Sequence, residues 1–95
     1  MDDFEWDPDK AEANLRKHGI SFEDAALALI GAALTQQSRR GEESRFQSFC
    51  VLEGEIISVA WTPRANAIRI LSARRAKRDE RQRYRETLRR SAEGR

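Results

Sequence analysis

Cysteine, histidine and proline are scarce in this sequence, and long apolar runs are absent. The single cysteine, Cys50, allows no disulfide within the chain and stands in an apolar run, where burial is the ordinary role of a free thiol. The longest apolar stretch, residues 25–34, is too short to cross a bilayer, and the acidic start of the chain is unlike a secretory signal. We therefore expect a cytoplasmic protein without a membrane segment.

The scarcity of metal ligands and of glycine motifs excludes several classes of enzyme. One histidine and one cysteine give no spacing suited to zinc, and neither a phosphate-binding glycine loop nor a Gly-x-Ser-x-Gly elbow occurs. Clustered carboxylates are confined to the acidic N-terminal segment. We therefore expect neither a metal nor a cofactor in the chemistry of this chain.

The sequence is typical of one small globular unit. It has 95 residues, of which 39% are hydrophobic and 36% charged, so its core must be small. It contains no internal repeat, proline-rich linker or low-complexity tract that would divide it. We expect a single domain over residues 1–95.

Positive charge is abundant and is concentrated in the last third of the chain. Residues 1–30 hold 3 Lys or Arg against 8 Asp or Glu, whereas residues 64–95 hold 12 against 4. The net charge of +2 for the whole chain therefore hides a strongly basic C-terminal segment. Such a segment attracts polyanions, which makes a nucleic acid the first partner to consider.

Local signals predict a short strand and two helices in the N-terminal third. Phe4-Glu5-Trp6 alternates as a strand does, Asp7-Pro8 is typical of a helix start, and Gly19 is suited to end that helix. Ser21 opens a capping-box pattern, and an apolar stripe continues from there to Gly31. The spacing predicts two amphipathic helices that pack on a sheet.

Four further strands and a basic helix are predicted for the rest of the chain. Runs rich in β-branched and aromatic residues alternate with short turn-rich gaps, which favours an antiparallel meander of residues 33–38, 46–52, 56–61 and 68–72. Residues 77–90 are helical by propensity, with only Ala76, Tyr84 and Leu88 on their apolar line. The predicted fold class is α+β: an antiparallel sheet of four to five strands, two N-terminal helices packed on one face and a basic C-terminal helix.

Motifs at both ends of the chain resemble those of one protein family. They are Phe4-Glu5-Trp6-Asp7-Pro8, Lys10-Ala11, Asn14-Leu15, the run from Lys17 to Ala25, and the run from Ile68 to Ala76 followed by Glu80 and Tyr84. Over residues 4–84 the chain resembles the BrnT family of bacterial toxins. The resemblance implies a RelE-like ribonuclease fold, a toxin that cleaves RNA and stops translation, and a BrnA antitoxin of ribbon-helix-helix type as partner.

Arginine is the residue of this chain best suited to RNA cleavage without a metal. That reaction needs a base for the 2′-hydroxyl, donors for the phosphoryl oxygens and an acid for the leaving oxygen, and the planar guanidinium matches two phosphate oxygens at once. Arg69 is the leading candidate, because alternation directs it away from the face of Ile68 and Ile70. A solvated arginine on an outer sheet face is the alternative.

Three further residues complete the predicted catalytic set, each with a structural alternative. Arg74 lies where the strand passes into the helix and suits an anion, or else capping or antitoxin contact. Tyr84 suits stacking of a base, although packing is its ordinary role. His18, the only histidine, suits proton transfer, yet a helix C-terminus explains it as well, and its helix should cover the face opposite Arg69.

A wider set of basic residues is predicted to bind RNA. Two of them stand at strand edges, where they could close a cleft around a phosphate, and the others begin at the junction of the last strand with the basic helix. The predicted RNA-binding residues are Arg45, Arg64, Arg75, Lys77, Arg78 and Arg81. Each of them is equally compatible with an ordinary place on the surface.

The predicted function is a metal-independent ribonuclease toxin, and two alternatives stay open. The basic helix alone would serve a nucleic-acid-binding module without catalysis, although no helix-turn-helix or ribbon-helix-helix pattern is present for sequence readout. It would equally serve a module that only docks an antitoxin. Because its apolar line is narrow, we expect this helix to be stabilised by an acidic partner segment that covers the basic face of residues 69–85.

Overall fold

The computed structural model describes residues 3–32, 34–40 and 43–93. The elements in chain order are β1 (Asp3–Glu5), α1 (Pro8–His18), α2 (Phe22–Ile30), β2 (Leu34–Arg40), β3 (Glu43–Leu52), β4 (Glu55–Arg64), β5 (Ala67–Arg75) and α3 (Arg78–Glu93). This order confirms the predicted α+β class. Ala33, the first residue of one predicted strand, lies outside the described residues.

Local capping interactions set the ends of α1 and α2. The Asp7 carboxylate accepts a hydrogen bond from the Asp9 backbone at 2.9 Å, and Gly19 ends α1 in the left-handed conformation with φ +72°. The Ser21 hydroxyl accepts from the Asp24 backbone at 3.1 Å, and Gly31 ends α2. Both helices therefore begin and end where the sequence signals predicted.

The sheet has five strands in the order β1-β5-β4-β3-β2. Strands β2 to β5 form the predicted antiparallel meander. β1 differs, because it pairs with β5 in parallel, with Glu5 beside Arg69. The sheet is therefore mixed: after β1 the chain crosses one face as α1 and α2 and enters the sheet again at the opposite edge.

The central strands are longer than the apolar runs that predicted them. β3 begins at Glu43, β4 continues to Arg64 and β5 continues to Arg75. Polar residues join the ladder here because the neighbouring strands supply hydrogen-bond partners for their backbones. Arg45 and Arg64, predicted before a strand and in a turn, consequently lie inside β3 and β4.

Each face of the sheet carries its own apolar cluster. On one face α1 and α2 cover the larger cluster, which includes Phe22, Ile57, Val59 and Ile70. On the other face α3 covers a small cluster made of Phe49, Ala76 and Tyr84, against which Leu34 and Ile56 pack. Only one end of this second face is covered by α3. Among the described residues, no helix is long and apolar enough to span a membrane.

Asn14 on α1 substitutes for a strand neighbour along β5. β1 pairs with β5 only as far as Arg69 in the described residues, so the backbone of Ala73 has no strand partner on that side. The Asn14 amide donates to the Ala73 carbonyl at 2.9 Å and its oxygen accepts from the Ala73 N–H at 3.1 Å. The same amide donates to the Ile20 carbonyl at 3.1 Å. One buried side chain thus joins α1, the connection between α1 and α2, and the sheet.

Candidate nucleic-acid interface

The sheet face opposite α1 and α2 is polar where α3 does not cover it. Thr62 pairs with Arg69, and Phe46 pairs with Trp61, so Arg45, Thr62 and Arg69 form one row across three strands. Alternation directs this row away from the core beneath the two helices. We call this surface the open face, and its residues are Glu5, Glu43, Arg45, Gln47, Ala60, Thr62, Arg64, Arg69 and Ser72.

A β-bulge decides which arginines share the open face. Arg69 and Arg74 are five positions apart in β5, so strict alternation would send them to opposite faces. The register shifts between Ala60 and Trp61, whose partners are Ser72 and Ile70, and Leu71 is the extra residue. Arg74, which pairs with Ser58, therefore lies on the same face as Arg69.

Small and uncharged side chains separate Arg69 from Arg74. Gln47, Ala60 and Ser72 form the row between them, which we call the central strip. Along β4, the rows of Arg69 and Arg74 are four residues apart, which corresponds to roughly 13 Å. The central strip is thus an uncharged surface with arginines on two sides, an arrangement that suits an extended polyanion.

The arginines at the end of the open face farthest from α3 are paired with half-exposed carboxylates. Arg69 Nη1 lies 3.0 Å from Glu5 Oε2. Glu43 lies between two guanidinium groups, 3.2 Å from Arg45 and 3.4 Å from Arg64. The hydrogen bond from Arg45, with the charges of both arginines, holds the pKa of the Glu43 carboxyl below its usual range.

Arg74 is held more firmly than the other arginines of this face. Its two terminal nitrogens donate to the two carboxylate oxygens of Glu80 at 2.9 and 3.0 Å, and one of these oxygens also accepts the Lys77 N–H at 2.8 Å. The bonds from Arg74, ahead of the backbone bond and nearby charges, lower the pKa of Glu80 to about 2. In return, Glu80 raises the pKa of Arg74. This pair fixes the start of α3 to the end of β5.

Arg75 and His18 lie on the side of the sheet that α1 and α2 cover, which we call the helix side. Arg75 pairs with Ile57, a residue of the core beneath α1 and α2. Its guanidinium is 2.7 Å from the Glu55 carboxylate and donates to the His18 carbonyl at 3.0 Å. Arg75 therefore ties the end of α1 to the sheet, and His18 is separated from the open face by the sheet itself.

Tyr84 and Arg81 belong to a second surface beside α3. An open groove of about 510 Å³ runs between α3 and the turn joining β3 to β4. We call it the α3 groove, and the residues that line it include Val51, Ile56, Arg75, Arg81, Tyr84, Arg85 and Leu88. The Tyr84 ring is buried against Phe49, and Arg81 donates to the Ala76 carbonyl at 2.7 Å. Lys77 and Arg78 are exposed just ahead of this groove.

The residues predicted as catalytic are thus distributed over several surfaces. Arg69 and Arg74 lie on the same side of the sheet, across the central strip from each other. Tyr84 lies in the α3 groove and His18 at the end of α1. The predicted RNA-binding residues divide likewise, with Arg45 and Arg64 on the open face and Arg81 in the groove.

Two acidic residues of this face were missed by the sequence reasoning. Glu5 stands in the predicted first strand, and only the parallel pairing of that strand with β5 places it beside Arg69. Glu43 stands before the run that predicted β3, and only the extension of this strand places it between Arg45 and Arg64. Alternation gives the face of a side chain, whereas its neighbours depend on strand order and register.

Comparison with known protein families gives one match. The family model described as ribonuclease toxin, BrnT, of type II toxin-antitoxin system matches residues 6–80. The matched segment runs from Trp6 through both N-terminal helices and strands β2 to β5, and it ends at Glu80, the partner of Arg74. A search of curated proteins gave no significant match.

Proposed function

Because this chain belongs to the family of BrnT ribonuclease toxins of type II toxin-antitoxin systems, we propose that it cleaves RNA on the open face without a metal ion. The observation that carries this proposal is the group of arginines on a sheet face that α3 leaves uncovered. In support of the metal-free route, this face presents guanidinium groups, which can donate to the phosphoryl oxygens of RNA.

The proposed reaction is attack of the 2′-hydroxyl on the adjacent phosphorus. The 2′-oxygen loses its proton and bonds to phosphorus, the bond to the 5′-oxygen breaks, and that oxygen takes up a proton. The products carry a 2′,3′-cyclic phosphate and a 5′-hydroxyl. Arg69 is proposed to donate to the non-bridging oxygens, whose negative charge grows in the transition state. Arg74 lies across the central strip and stays bonded to Glu80, which compensates its charge, so its part in the reaction stays a prediction.

The roles of Tyr84 and His18 stay predictions. Neither side chain belongs to the open face in this arrangement, since Tyr84 lines the α3 groove and His18 lies on the helix side. Either residue would have to approach the RNA from another surface to transfer a proton. The open face supports an electrostatic role for its arginines more directly than it supports a particular general base.

Incubation of the purified chain with RNA in EDTA tests the proposal. We expect cleavage in the chelator, with a rate that falls steeply as salt is raised, because the salt weakens phosphate binding. A parallel preparation of Arg69→Ala serves as the control for contaminating nuclease. Cleavage that requires an added divalent metal would show the metal-free route to be wrong. RNA that is bound but never cut would favour the non-catalytic module.

Cleavage of cellular RNA is further proposed to stop translation, which places the activity in the cytoplasm. Induced expression of the chain should reduce incorporation of labelled amino acid within minutes, and expression of Arg69→Ala should not. Continued incorporation during RNA loss would separate the ribonuclease from translation. Loss of incorporation with both proteins would point to a general effect of expression.

The toxin family implies an antitoxin, and we propose a BrnA-like protein of ribbon-helix-helix type. The expected basic face of residues 69–85 is divided between the open face, the helix side and the α3 groove. The groove joins the apolar Val51, Ile56 and Leu88 to Arg81 and Arg85, which suits an acidic amphipathic segment. Titration with the product of the neighbouring reading frame should raise the melting temperature and suppress cleavage together. Binding that leaves cleavage intact would contradict a shared surface.

A further inference from the structure

Glu43 occupies a place on the open face that would suit a phosphate. One of its oxygens accepts from Nε and Nη2 of Arg45 at 3.3 and 3.2 Å, and its other oxygen accepts from Arg64 at 3.4 Å. Two guanidinium groups thus hold one two-oxygen anion between them. This is also the arrangement by which arginines recognise the two non-bridging oxygens of a phosphodiester.

Glu5 stands in a similar relation to Arg69. The two residues are direct neighbours on the parallel strands β1 and β5, and Arg69 Nη1 donates to a Glu5 oxygen at 3.0 Å. The contact uses one guanidinium nitrogen. Arg69, which is proposed to contact the reacting phosphate, is therefore paired with a carboxylate of the same chain before RNA is bound.

These two carboxylates are more exposed to solvent than Glu80, the third carboxylate near the central strip. The side chains of Glu5 and Glu43 are 42% and 35% exposed, whereas that of Glu80 is 10% exposed. Glu80 also accepts three hydrogen bonds, from Arg74 and from the start of α3. Solvent can replace Glu5 and Glu43 at their arginines, while displacement of Glu80 would detach α3 from β5.

We propose that Glu5 and Glu43 fill two phosphate-binding positions in the free chain, and that backbone phosphates of RNA displace them. This inference rests on the proposed function, because it takes RNA as the ligand of the open face. Exposed ion pairs are weak, and a strand of RNA presents many phosphates at once, so the polyanion competes well against single carboxylates. The freed carboxylates turn into solvent.

Neutralising each carboxylate tests the displacement. The probe is a fluorescent 2′-O-methyl RNA oligonucleotide, which lacks the attacking hydroxyl and cannot be cut by this route. Glu43→Gln and Glu5→Gln should each bind it about threefold more tightly than Glu12→Gln does. Glu12 is the matched control, since it makes the same charge change on exposed α1, where it pairs with Arg16 at 3.6 Å.

The salt dependence gives a second readout of the same step. An arginine already compensated by a carboxylate releases fewer counterions when it binds a phosphate. The slope of log affinity against log salt should therefore steepen by about 0.7 for each arginine set free. For Glu12→Gln the slope should equal that of the unmodified chain.

Removal of the arginines should abolish this gain in RNA affinity. In an Arg45→Ala, Arg64→Ala background, Glu43→Gln should no longer tighten binding, and in an Arg69→Ala background Glu5→Gln should likewise have no effect. Binding no tighter than that of Glu12→Gln, or a gain that persists without the arginines, would overturn the displacement. A chain that neither binds nor cuts RNA would instead overturn the proposed function.

Nuclear magnetic resonance of the unmodified chain tests the displacement without a substitution, so the result does not depend on whether a variant folds. The Nε–H group of Arg45 donates to Glu43 in the free protein, so its signal reports the partner. Addition of the methylated RNA should move this signal, whereas that of Arg16 on α1 should stay in place. An unmoved Arg45 signal at saturating RNA would contradict displacement of Glu43.

Discussion

At the scale of single residues, Arg69 joins a proposed role in chemistry to a small role in stability. Its ion pair with Glu5 is partly exposed, and pairs of this kind contribute little to folding. We predict that Arg69→Ala lowers RNA cleavage by about tenfold or more while the melting temperature changes little. The comparison is Arg16→Ala, which removes another paired, exposed arginine from α1.

A lysine in place of Arg69 tests whether positive charge alone is enough or whether the planar shape of the guanidinium is needed. An ammonium group carries the same charge but cannot bind two phosphate oxygens with a planar fork, so Arg69→Lys should restore little activity. Full cleavage by Arg69→Ala would remove Arg69 from the mechanism. A large loss of melting temperature would show that its main role is structural.

Asn14, by contrast, has its main role in stability, because its side-chain amide is buried and hydrogen-bonded through both its nitrogen and its oxygen. Asn14→Ala would leave both backbone groups of Ala73, and the Ile20 carbonyl, without their partner. We predict a loss of about 2–4 kcal/mol in the free energy of unfolding, measured by denaturant titration. Gln82→Ala on the exposed side of α3 is the control. A loss no greater than in that control would contradict the role given to Asn14.

At the scale of elements, α3 depends on the ion pair between Glu80 and Arg74. The pKa of Glu80 falls from 4.5 to about 2 on folding, so the pair stabilises the protein at pH values above the unfolded pKa. This contribution is lost as the pH drops from about 4.5 towards about 2. Its size is on the order of 2 kcal/mol, after allowance for the partial exposure of the pair.

Replacing the carboxyl should therefore remove one pH-dependent step. We predict that Glu80→Gln destabilises α3 at neutral pH and flattens the fall in stability below about pH 4.5. Hydrogen exchange of the α3 amides, followed against pH, measures both effects. Glu86→Gln on the same helix, whose contact with Arg90 is 4.0 Å long, is the control. Equal behaviour of the two variants would contradict the anchoring role of Glu80.

The helices and the strands of this fold differ in how far the sequence predicts them. Caps act within a few residues, so Asp7, Gly19 and Ser21 were enough to place the ends of α1 and the start of α2. The partner of β1 and the full length of β3 to β5 depend on neighbouring strands that no local pattern encodes. The extra residue Leu71 likewise follows from the paired structure, and it brings Arg74 to the side of Arg69.

At the scale of the whole molecule, acidic and basic segments come together at the open face. The acidic N-terminal third supplies Glu5 from β1, and the basic last third supplies Arg64 and Arg69. The direction of Arg69 was predictable from alternation, because its neighbours Ile68 and Ile70 are apolar. Its acidic partner was not predictable, since it comes from a strand more than sixty residues away in the chain.

The proposed function requires that RNA is cut on the open face with the help of guanidinium groups. The most direct measurement is the single-turnover cleavage rate of RNA in EDTA for two triple variants with the same loss of charge. One variant removes Arg45, Arg64 and Arg69 from the open face, and the other removes Arg16, Arg89 and Arg90 from the exposed surfaces of α1 and α3. We predict a loss of about a hundredfold or more in the first and less than about threefold in the second. Equal losses, or normal cleavage by the open-face variant, would contradict the account.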